Sequence, residues 1–315
     1  MTTSQHRFAV VMPVYEDREA STKLLKELHA EYGDRPFVVL VDDGSLNQPV
    51  QPDFLSGAGL FGVVIKLKRN VGHQRAIAIG LNYIADHYPD IAYTVVMDSD
   101  GEDTPQSIRQ LVKPLIDSKV DVVVAERKSR VETWRFKTFY VLYKALFQFL
   151  TGRHISFGNF MAIAPTGLNR LVAMQELWIH VAACVLGSKL RVHTLQIDRG
   201  PRYAGQSKMN FVGLALHGFR ALMVFAEDVL VRVGMMCAFV AGLTVAAIVL
   251  AIGLKLANFA TPGWFSVALG ILLLVLLQTG ALTLMTLMLT GVVRAGAPNH
   301  IDYRAYIANV EHVRN

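Results

Sequence analysis

Short apolar runs alternate with amphipathic stretches over the first 200 residues of the chain. The runs suit buried strands, and the stretches between them carry apolar residues at helical spacing. Buried strands separated by helices are typical of a mostly parallel sheet that is covered on both faces. The predicted strands are Phe8–Met12, Phe37–Val41, Phe61–Leu67, Tyr93–Met97, Val120–Ala125, Asn159–Ala164 and Val192–Ile197. The predicted helices are Arg18–Tyr32, Gly72–His87, Pro105–Ser118, Trp134–Leu150 and Leu168–Leu186.

Two much longer apolar runs follow. Residues 233–254 form a run of 22 without a charge, and residues 256–293 a further run of 38. A helix needs roughly 20 apolar residues to cross the hydrocarbon core of a bilayer. Pro262 and Gly263, in "NFATPGW", supply a tight turn between the runs. The pattern favours a transmembrane hairpin, and two very apolar core helices are the alternative.

The hairpin predicts three parts of the chain. They are a cytoplasmic domain over residues 1–230, transmembrane helices at about 233–255 and 264–293 within 231–294, and a cytoplasmic tail over 295–315. The N-terminal stretch lacks the apolar run and the small-residue cleavage pattern of a signal peptide, so the first domain is expected to stay in the cytoplasm. Basic residues flank the ends expected to be cytoplasmic, and one lies near the turn: Arg220, Arg232, Arg294, Arg304 and, at the turn, Lys255.

Two further stretches are amphipathic, "TWRFKTFYVLYKALFQFLTG" and "NFVGLALHGFRALMVFAEDVLVR". At helical spacing they indicate helices that lie on the bilayer surface, and ordinary core helices are the alternative. If both are interfacial, they bring the domain to the membrane.

Composition agrees with a membrane protein. The apolar fraction is 52%, and a net charge of +6 indicates either nucleic acid or an anionic membrane surface as a partner. No interleaving of aromatic and basic residues typical of nucleic-acid modules stands out, so the membrane surface is favoured and nucleic acid is not expected. Two cysteines, Cys184 and Cys237, cannot form a disulfide framework.

Polar motifs follow the first five predicted strands in turn. They are "PVYED", "DDGS", "RNVGH", "DSDGED" and "ERKSR". In parallel sheets ligands bind beyond the carboxyl ends of the strands. The motifs are therefore expected to line one crevice.

The fourth motif crowds four acids into six positions. Asp98, Asp100, Glu102 and Asp103 repel one another at neutral pH unless a cation lies among them. Asp98 and Asp100, two residues apart at a strand end, can both reach one ion, with the serine between them facing away. A solvated acidic loop is the alternative. The sequence favours a divalent cation site.

Taken in order, "VVMPVYEDRE", "VVLVDDGS", "NVGHQRAIAIGL", "VVMDSDGEDTP", "ERKSR" and "RYAGQSKMNF" resemble the family 2 glycosyltransferases of GT-A fold, which are α/β enzymes. The likeness is to the membrane-anchored polyprenyl-phosphate glycosyltransferases and dolichol-phosphate mannose synthases, and it covers roughly residues 8 to 230. It implies a nucleotide-sugar donor whose diphosphate is neutralised by Mg²⁺ or Mn²⁺.

The resemblance also implies roles for individual residues. The metal ligands would be Asp98, Asp100 and Glu102, the last in place of the family's usual glutamine. The nucleotide-sugar contacts would be Pro13, Tyr15, Asp42, Asp43, Asp98 and Ser207. The residues implied in catalysis are Asp103, Arg127, Arg130, Arg202 and Lys208. Three alternatives stay open: "DDGS" as an ordinary Asx turn, the basic residues as lipid contacts, and His73 as either a turn residue or a phosphate contact.

The predicted function is inverting transfer of one sugar from a UDP- or GDP-sugar to polyprenyl (undecaprenyl or dolichyl) phosphate, on the cytoplasmic face of a bacterial inner or plasma membrane. Many family members place an acid near the acceptor where this chain has Asn159, which leaves Asp103 as the candidate base for a hydroxyl acceptor. A glycosyltransferase acting on a lipid or glycan hydroxyl is therefore one alternative. A non-catalytic membrane scaffold is another, and assembly into a homo-oligomer stays open.

Overall fold

A computed structural model describes residues 8–127, 134–203, 211–259, 261, 263–295 and 301–313. The chain divides into two compact units. The first comprises residues 1–142, 154–224 and 300–315, and the second comprises residues 143–153 and 225–299.

The first unit is built on an eight-stranded sheet. The strands are β1 (Phe8–Val14), β2 (Pro36–Asp42), β3 (Phe61–Leu67), β4 (Thr94–Val96), β5 (Val122–Arg127), β6 (Phe157–Ile163), β7 (Val192–Ile197) and β8 (Ile307–Val313). Their order across the sheet is β7-β5-β6-β4-β1-β2-β3-β8. All seven strands predicted from the sequence are present, with small differences at their ends.

The central strands run parallel. β1 pairs parallel with β2 and β4, β2 with β3, and β5 with β7, whereas β6 is antiparallel to both β4 and β5. The carboxyl ends of β1 to β4 therefore meet at one edge of the sheet, where the polar motifs emerge. β1 and β2 are buried along their whole length, which explains why they read as continuous apolar runs.

Helices cover both faces of the sheet, and each face has its own apolar core. The helices that precede the long apolar segments are α1 (Arg18–Tyr32), α2 (Asp53–Ser56), α3 (His73–His87), α4 (Ile108–Asp117), α5 (Trp134–Thr151), α6 (Pro165–Val172), α7 (Val181–Gly187) and α8 (Phe211–Met223). Six of them, α1 to α4, α6 and α7, contribute buried residues to the two cores, whereas the described parts of α5 and α8 carry exposed apolar side chains, among them Leu142, Phe149 and Phe219. The α/β class with a mostly parallel sheet is confirmed.

The helix predicted over Leu168–Leu186 is wrong as a single element. α6 ends at Val172, and the extended backbone of Met174 leads into a 3₁₀ turn before α7. His180 then caps α7, because its ring nitrogen accepts the backbone N–H of Ala183. The apolar periodicity continues across this break, so periodicity alone does not reveal it.

The C-terminal segment returns to the sheet. β8 pairs antiparallel with β3 and forms one end of the strand order. Tyr303, just before β8, is 3% exposed, and its hydroxyl donates to Asp86 Oδ2 at 2.9 Å. The sequence pattern predicts no strand here, only a tail. From the sequence, a chain shortened after about residue 232 is expected to fold. In the structure, such a chain would lack β8, one strand of the sheet.

Replacing Tyr303 by alanine should lower the free energy of unfolding by about 3–5 kcal/mol, because a buried ring is lost from the core. Replacing it by phenylalanine should cost far less, because Arg304 remains 2.8 Å from Asp86 and keeps that carboxylate paired. Chemical unfolding of the full chain in detergent measures both values. Equal stability of the alanine variant and the unchanged chain would contradict a structural role for this segment.

The second unit contains two long apolar helices, α9 (Ala226–Leu256) and α10 (Trp264–Ala295). Both are long enough and apolar enough to cross a membrane. Gly234 of α9 lies against Thr286 of α10, where an added Cβ would come within 2.9 Å of the threonine hydroxyl. The predicted two-helix hairpin is present, whereas the domain boundary at residue 230 stays a prediction.

Candidate active site

The acidic loop after β4 is folded in part by its own carboxylates. Asp103 accepts the backbone N–H of Asp98, and Asp100 accepts that of Glu102, both at 3.0 Å. Gly101 has a φ of +87°, a left-handed conformation that glycine adopts without strain. Asp103 and Asp100 are 1% and 9% exposed. The four acids are thus gathered in one largely buried turn rather than along a solvated loop.

Two arginines in the loop after β7 face these acids. Arg202 Nη2 lies 2.6 Å from Asp100 Oδ2, and its Nε lies 3.4 Å from Glu102 Oε1. Arg199 is ion-paired with Glu102, and its Nη2 lies 3.3 Å from Asp103 Oδ1. Each guanidinium therefore spans two carboxylates. The same planar fork suits the oxygens of a phosphate.

Tyr203 fastens this arginine-bearing loop to the acidic turn and to α1. Its backbone N–H donates to the Asp100 carbonyl at 3.0 Å, and its hydroxyl donates to the Glu27 carboxylate. The ammonium of Lys23 lies 4.1 Å from the centre of the ring. An added Cβ on Gly101 would come within 2.4 Å of the ring, so only glycine fits beneath it. The two loops are held as one structure.

His73, the first residue of α3, joins the acidic turn from the other side. Its Nε2 lies 3.1 Å from Asp98 Oδ1 and 3.1 Å from the Asn159 side-chain amide. Burial lowers the pKa of His73, but the charges of Asp98, Asp103 and Asp100 outweigh this and raise it overall. His73 thus contacts the acid cluster directly. β6 brings Asn159 to the position where the family resemblance places an acid.

Negative charge is in excess in this cluster. Burial, followed by the neighbouring charge of Asp98, raises the pKa of Asp103 and that of Asp100 above the usual range. The side chain of Asp103 is 0% exposed and is enclosed by the Asp98 backbone and Arg199. A base for an acceptor hydroxyl needs access to the acceptor, and a fully buried carboxylate lacks that access. The position of Asp103 therefore suits a role in holding the turn together.

The "DDGS" loop after β2 is tied to its surroundings by both carboxylates. Asp42 is 2% exposed and accepts the backbone N–H groups of Ser45 and Val50, each at 2.9 Å. Gly44 has a φ of +73°, and a Cβ there would lie 2.5 Å from the backbone of Arg69. Asp42 therefore shapes the loop, as in an Asx turn.

Asp43 connects this loop to the start of α3. Its carboxylate accepts the backbone N–H groups of Val71 and Gly72 at 2.7 and 3.0 Å. Burial raises its pKa, although these two hydrogen bonds act in the opposite direction. Of the predicted base contacts nearby, Pro13 is buried within β1 and Tyr15 is 43% exposed. The nucleotide-contact roles of these residues stay predictions.

The donor atoms of the acid cluster fit a divalent cation, whereas the predicted set of three ligands is not assembled. Carboxylate oxygens are the ligands that Mg²⁺ and Mn²⁺ prefer. Within the described part of the chain, no group of three or more acidic, histidine or cysteine side chains is arranged to hold a metal ion. Glu102 is instead paired with Arg199 and Arg202. Asp98 and Asp100 are the better candidates, since Mg²⁺ commonly uses one or two carboxylates together with substrate phosphates.

Part of the predicted site lies outside the described residues. Arg130, Ser207 and Lys208 belong to this part. Arg127 is described only as the last backbone position of β5. Their roles remain predictions.

Sequence reasoning missed two side chains that contact the acid cluster or its loop, Arg199 and Tyr203. Arg199 had a signal, because "DRGPR" follows a predicted strand and carries a second arginine three positions before Arg202. The Tyr203 contact with Glu27 joins residues 176 positions apart, and local sequence carries no sign of it.

A pair of histidines lies elsewhere in the first unit. His180 Nδ1 accepts the Ala183 N–H at 3.2 Å, so the proton of the neutral ring is on Nε2, which donates to His217 Nε2 at 3.0 Å. Burial lowers the pKa of His180 to about 3 and that of His217 to about 4, and repulsion from other cationic groups adds to this. Both rings are therefore neutral at pH 7, and the pair links α7 to α8.

The contribution of the histidine pair to the stability of the chain should decrease as the pH falls from about 6.5 towards 4, whereas the raised pKa values of Asp103, Asp100, Asp43 and His73 act in the opposite direction. In this range the unfolded chain, with histidine pKa values near 6.5, binds protons that the folded pair does not. Thermal unfolding in detergent at several pH values measures the effect. Relative to the unchanged chain, His217→Gln should lose less stability over this pH range, and the same change at His193, exposed on β7, should leave the dependence unchanged. An unchanged dependence in His217→Gln would contradict the role of the pair.

Comparison with known proteins gives a family match and a group of relatives. The model of glycosyl transferase family 2 matches residues 9–178. Undecaprenyl-phosphate 4-deoxy-4-formamido-L-arabinose transferase of Enterobacter sp. (strain 638) is 31% identical over 153 residues, which cover 47% of this chain and 45% of that protein. The protein of the same name from Proteus mirabilis (strain HI4320) is 28% identical over 225 residues, 66% of this chain and 64% of that protein. The chain spans about half the length of the curated relatives it matches.

Among solved structures, glucosyl-3-phosphoglycerate synthase from Mycobacterium tuberculosis, in complex with Mn²⁺, UDP-glucose and phosphoglyceric acid, is similar with a TM-score of 0.47. The sequence identity is 15%, and the match covers 72% of this chain and 79% of that chain. A likeness at this level says nothing of the chemistry of this chain.

Proposed function

The chain belongs to glycosyl transferase family 2, and from this premise we propose that it transfers a sugar from a UDP- or GDP-sugar to polyprenyl phosphate at the cytoplasmic face of a bacterial inner membrane. The observation that carries the proposal is the cluster of Asp98, Asp100, Glu102 and Asp103 with Arg199 and Arg202 at the carboxyl edge of the sheet. Opposite charges packed at this edge suit a nucleotide-sugar donor, because its diphosphate gains negative charge as it leaves the sugar.

The donor diphosphate would lie between the acids and the arginines. Asp98 and Asp100 would hold Mg²⁺ or Mn²⁺, which when bound supplies Lewis-acid neutralisation of the diphosphate. Arg202 would exchange its carboxylate partners for phosphate oxygens, because a guanidinium donates paired N–H hydrogen bonds to either group. His73 lies beside Asp98, and the charges of the acidic turn raise its pKa.

The nucleotide would occupy the part of the crevice beside the "DDGS" loop. Asp43 retains acceptor capacity, since each carboxylate oxygen has two lone pairs and accepts one backbone N–H among the described contacts. A ring N–H of uracil or guanine can use that capacity. Tyr15, exposed at the end of β1, would flank the base.

Two features support a lipid phosphate as the acceptor. The relatives from Enterobacter sp. (strain 638) and Proteus mirabilis (strain HI4320) are named as undecaprenyl-phosphate sugar transferases, and the chain carries two helices able to span a membrane. An acceptor phosphate is anionic and nucleophilic at pH 7, so it needs no base. This agrees with the enclosed position of Asp103 and with an asparagine at position 159. The inverted configuration of the product is carried over from the family resemblance.

The proposal is tested by measuring nucleotide release from a panel of UDP- and GDP-sugars, with and without polyprenyl phosphate, by the full chain in lipid vesicles. Release that depends on the lipid phosphate, with a product that mild acid cleaves, is the expected result. An acid-stable product made on a hydroxyl-bearing lipid would identify a glycosyltransferase with a hydroxyl acceptor instead. If no donor is consumed with any acceptor, the chain is a non-catalytic membrane scaffold.

A further inference from the structure

A glutamine lies in the middle of the second long helix. Gln278 is at the centre of the apolar segment Trp264–Val293 of α10, and its side chain is exposed. Among the residues that the structure describes, it has no hydrogen-bond partner. In a helix that crosses a membrane, this position falls near the middle of the hydrocarbon core, where no water is present to pair with the amide.

The other polar side chains in this part of the helix have partners. The threonines at positions 279, 283, 286 and 290 each donate to a carbonyl of their own helix. Thr286 and Thr290 are 8% exposed, and Thr286 lies against Gly234 of α9. At about 100° per residue, Gln278 is roughly a quarter to a third of a turn away from this threonine stripe. The packing of α9 on α10 therefore does not cover the glutamine.

The face around Gln278 is apolar and open. Leu274 and Met285, one and two turns away, are 68% and 57% exposed, and Ala281 between them is also exposed. The amide of Gln278 is the polar group at the centre of this face. In membranes, glutamine side chains hydrogen-bond across helices, and small residues such as alanine let the backbones approach.

We propose that a second copy of this chain packs on this face, with the two Gln278 amides hydrogen-bonded to each other. A primary amide carries both donors and an acceptor, so two identical amides can satisfy each other. A two-fold axis along the membrane normal places the same residue of both copies at the same depth. If the face around Gln278 is turned towards this axis, the two glutamines meet. A different partner protein would need its own polar group at that depth, whereas a second copy supplies one by symmetry. The proposal rests on the hairpin crossing a membrane and not on the transfer reaction.

The experiment measures self-association of the full chain, labelled at its C-terminus, in lipid vesicles over a range of protein-to-lipid ratios. Energy transfer between labelled copies reports the associated fraction. Gln278→Leu should weaken association by roughly 3- to 30-fold, the range expected for one hydrogen-bonded contact between membrane helices. Gln278→Asn keeps the amide and should retain most of the association.

Thr279→Val is the matched control, because it removes an equally central polar group that bonds only its own helix. This variant should associate as the unchanged chain does. In a Cys237→Ala background, Gln278→Cys should form a disulfide between copies under mild oxidation. The proposal is overturned if the unchanged chain stays monomeric at every ratio, or if Gln278→Leu associates as strongly as the unchanged chain. If the unchanged chain associates but transfers no sugar, the proposed function is refuted and the proposed association is not.

Discussion

Replacing Asp100 by asparagine should lower the rate of sugar transfer by on the order of 1,000-fold, because one carboxylate charge is removed from the ion and the diphosphate. The fold should stay intact. The asparagine Oδ1 can still accept the Glu102 N–H, which Asp100 accepts at 3.0 Å, so the acidic turn keeps its internal hydrogen bond. The charge opposite Arg202 is what disappears.

The measurement compares initial transfer rates with circular dichroism and unfolding temperature for the same preparations. Asp117→Asn is the matched control, since Asp117 is an exposed acid at the end of α4. It should transfer sugar at the unchanged rate. EDTA should reproduce the effect of Asp100→Asn, and added Mg²⁺ or Mn²⁺ should reverse it. Full activity in EDTA would refute metal dependence, and normal transfer by Asp100→Asn would remove Asp100 from the mechanism.

The sheet could be predicted because its signals are local. A buried parallel strand is a continuous apolar run, and polar motifs emerge at its carboxyl end, so β1 to β7 and the acidic turn are visible in the sequence. β8 has no such signal. It is an edge strand with a mixture of half-buried and exposed positions, and its place beside β3 depends on pairing between residues 240 or more positions apart.

The pairing of charges within the site could not be predicted in the same way. The sequence shows four acids together but not which of them meets which cation. Glu102 resembles a metal ligand by its position in the motif, yet the structure pairs it with Arg199 and Arg202, about 100 residues further along the chain. Such pairing depends on where the loop after β7 crosses the turn after β4. That crossing is a property of the sheet order and not of either segment.

The same limit applies to how the loop is held. Tyr203 lies over Gly101 and bonds Glu27, so a glycine, a tyrosine and a glutamate from three separate segments form one anchor. Each residue alone has an ordinary explanation in the sequence: a turn, an aromatic residue and a helix surface acid. Their joint role is seen only when the three segments are brought together.

Replacing Arg202 by alanine should lower the turnover number by roughly 30- to 1,000-fold while changing the affinity for free nucleotide little. In the absence of donor, Arg202 is neutralised by Asp100 and Glu102, at 2.6 and 3.4 Å. In the transition state, charge moves onto the leaving diphosphate, and a guanidinium released from its carboxylates can stabilise it. A contact that strengthens only at that point raises the turnover number and not ground-state binding.

Two further variants make this prediction specific. Arg202→Lys keeps the charge but loses the fork that spans two carboxylates, so its turnover should lie between those of Arg202→Ala and the unchanged chain. Asp43→Ala should show the reverse pattern, with weaker nucleotide binding and a smaller effect on turnover at saturating donor. Titration of free nucleotide beside turnover measurements on the three variants separates the two patterns. If Arg202→Ala turns over normally, Arg202 only pairs with the acids of the turn, because a group that stabilises the leaving diphosphate cannot be removed without slowing transfer.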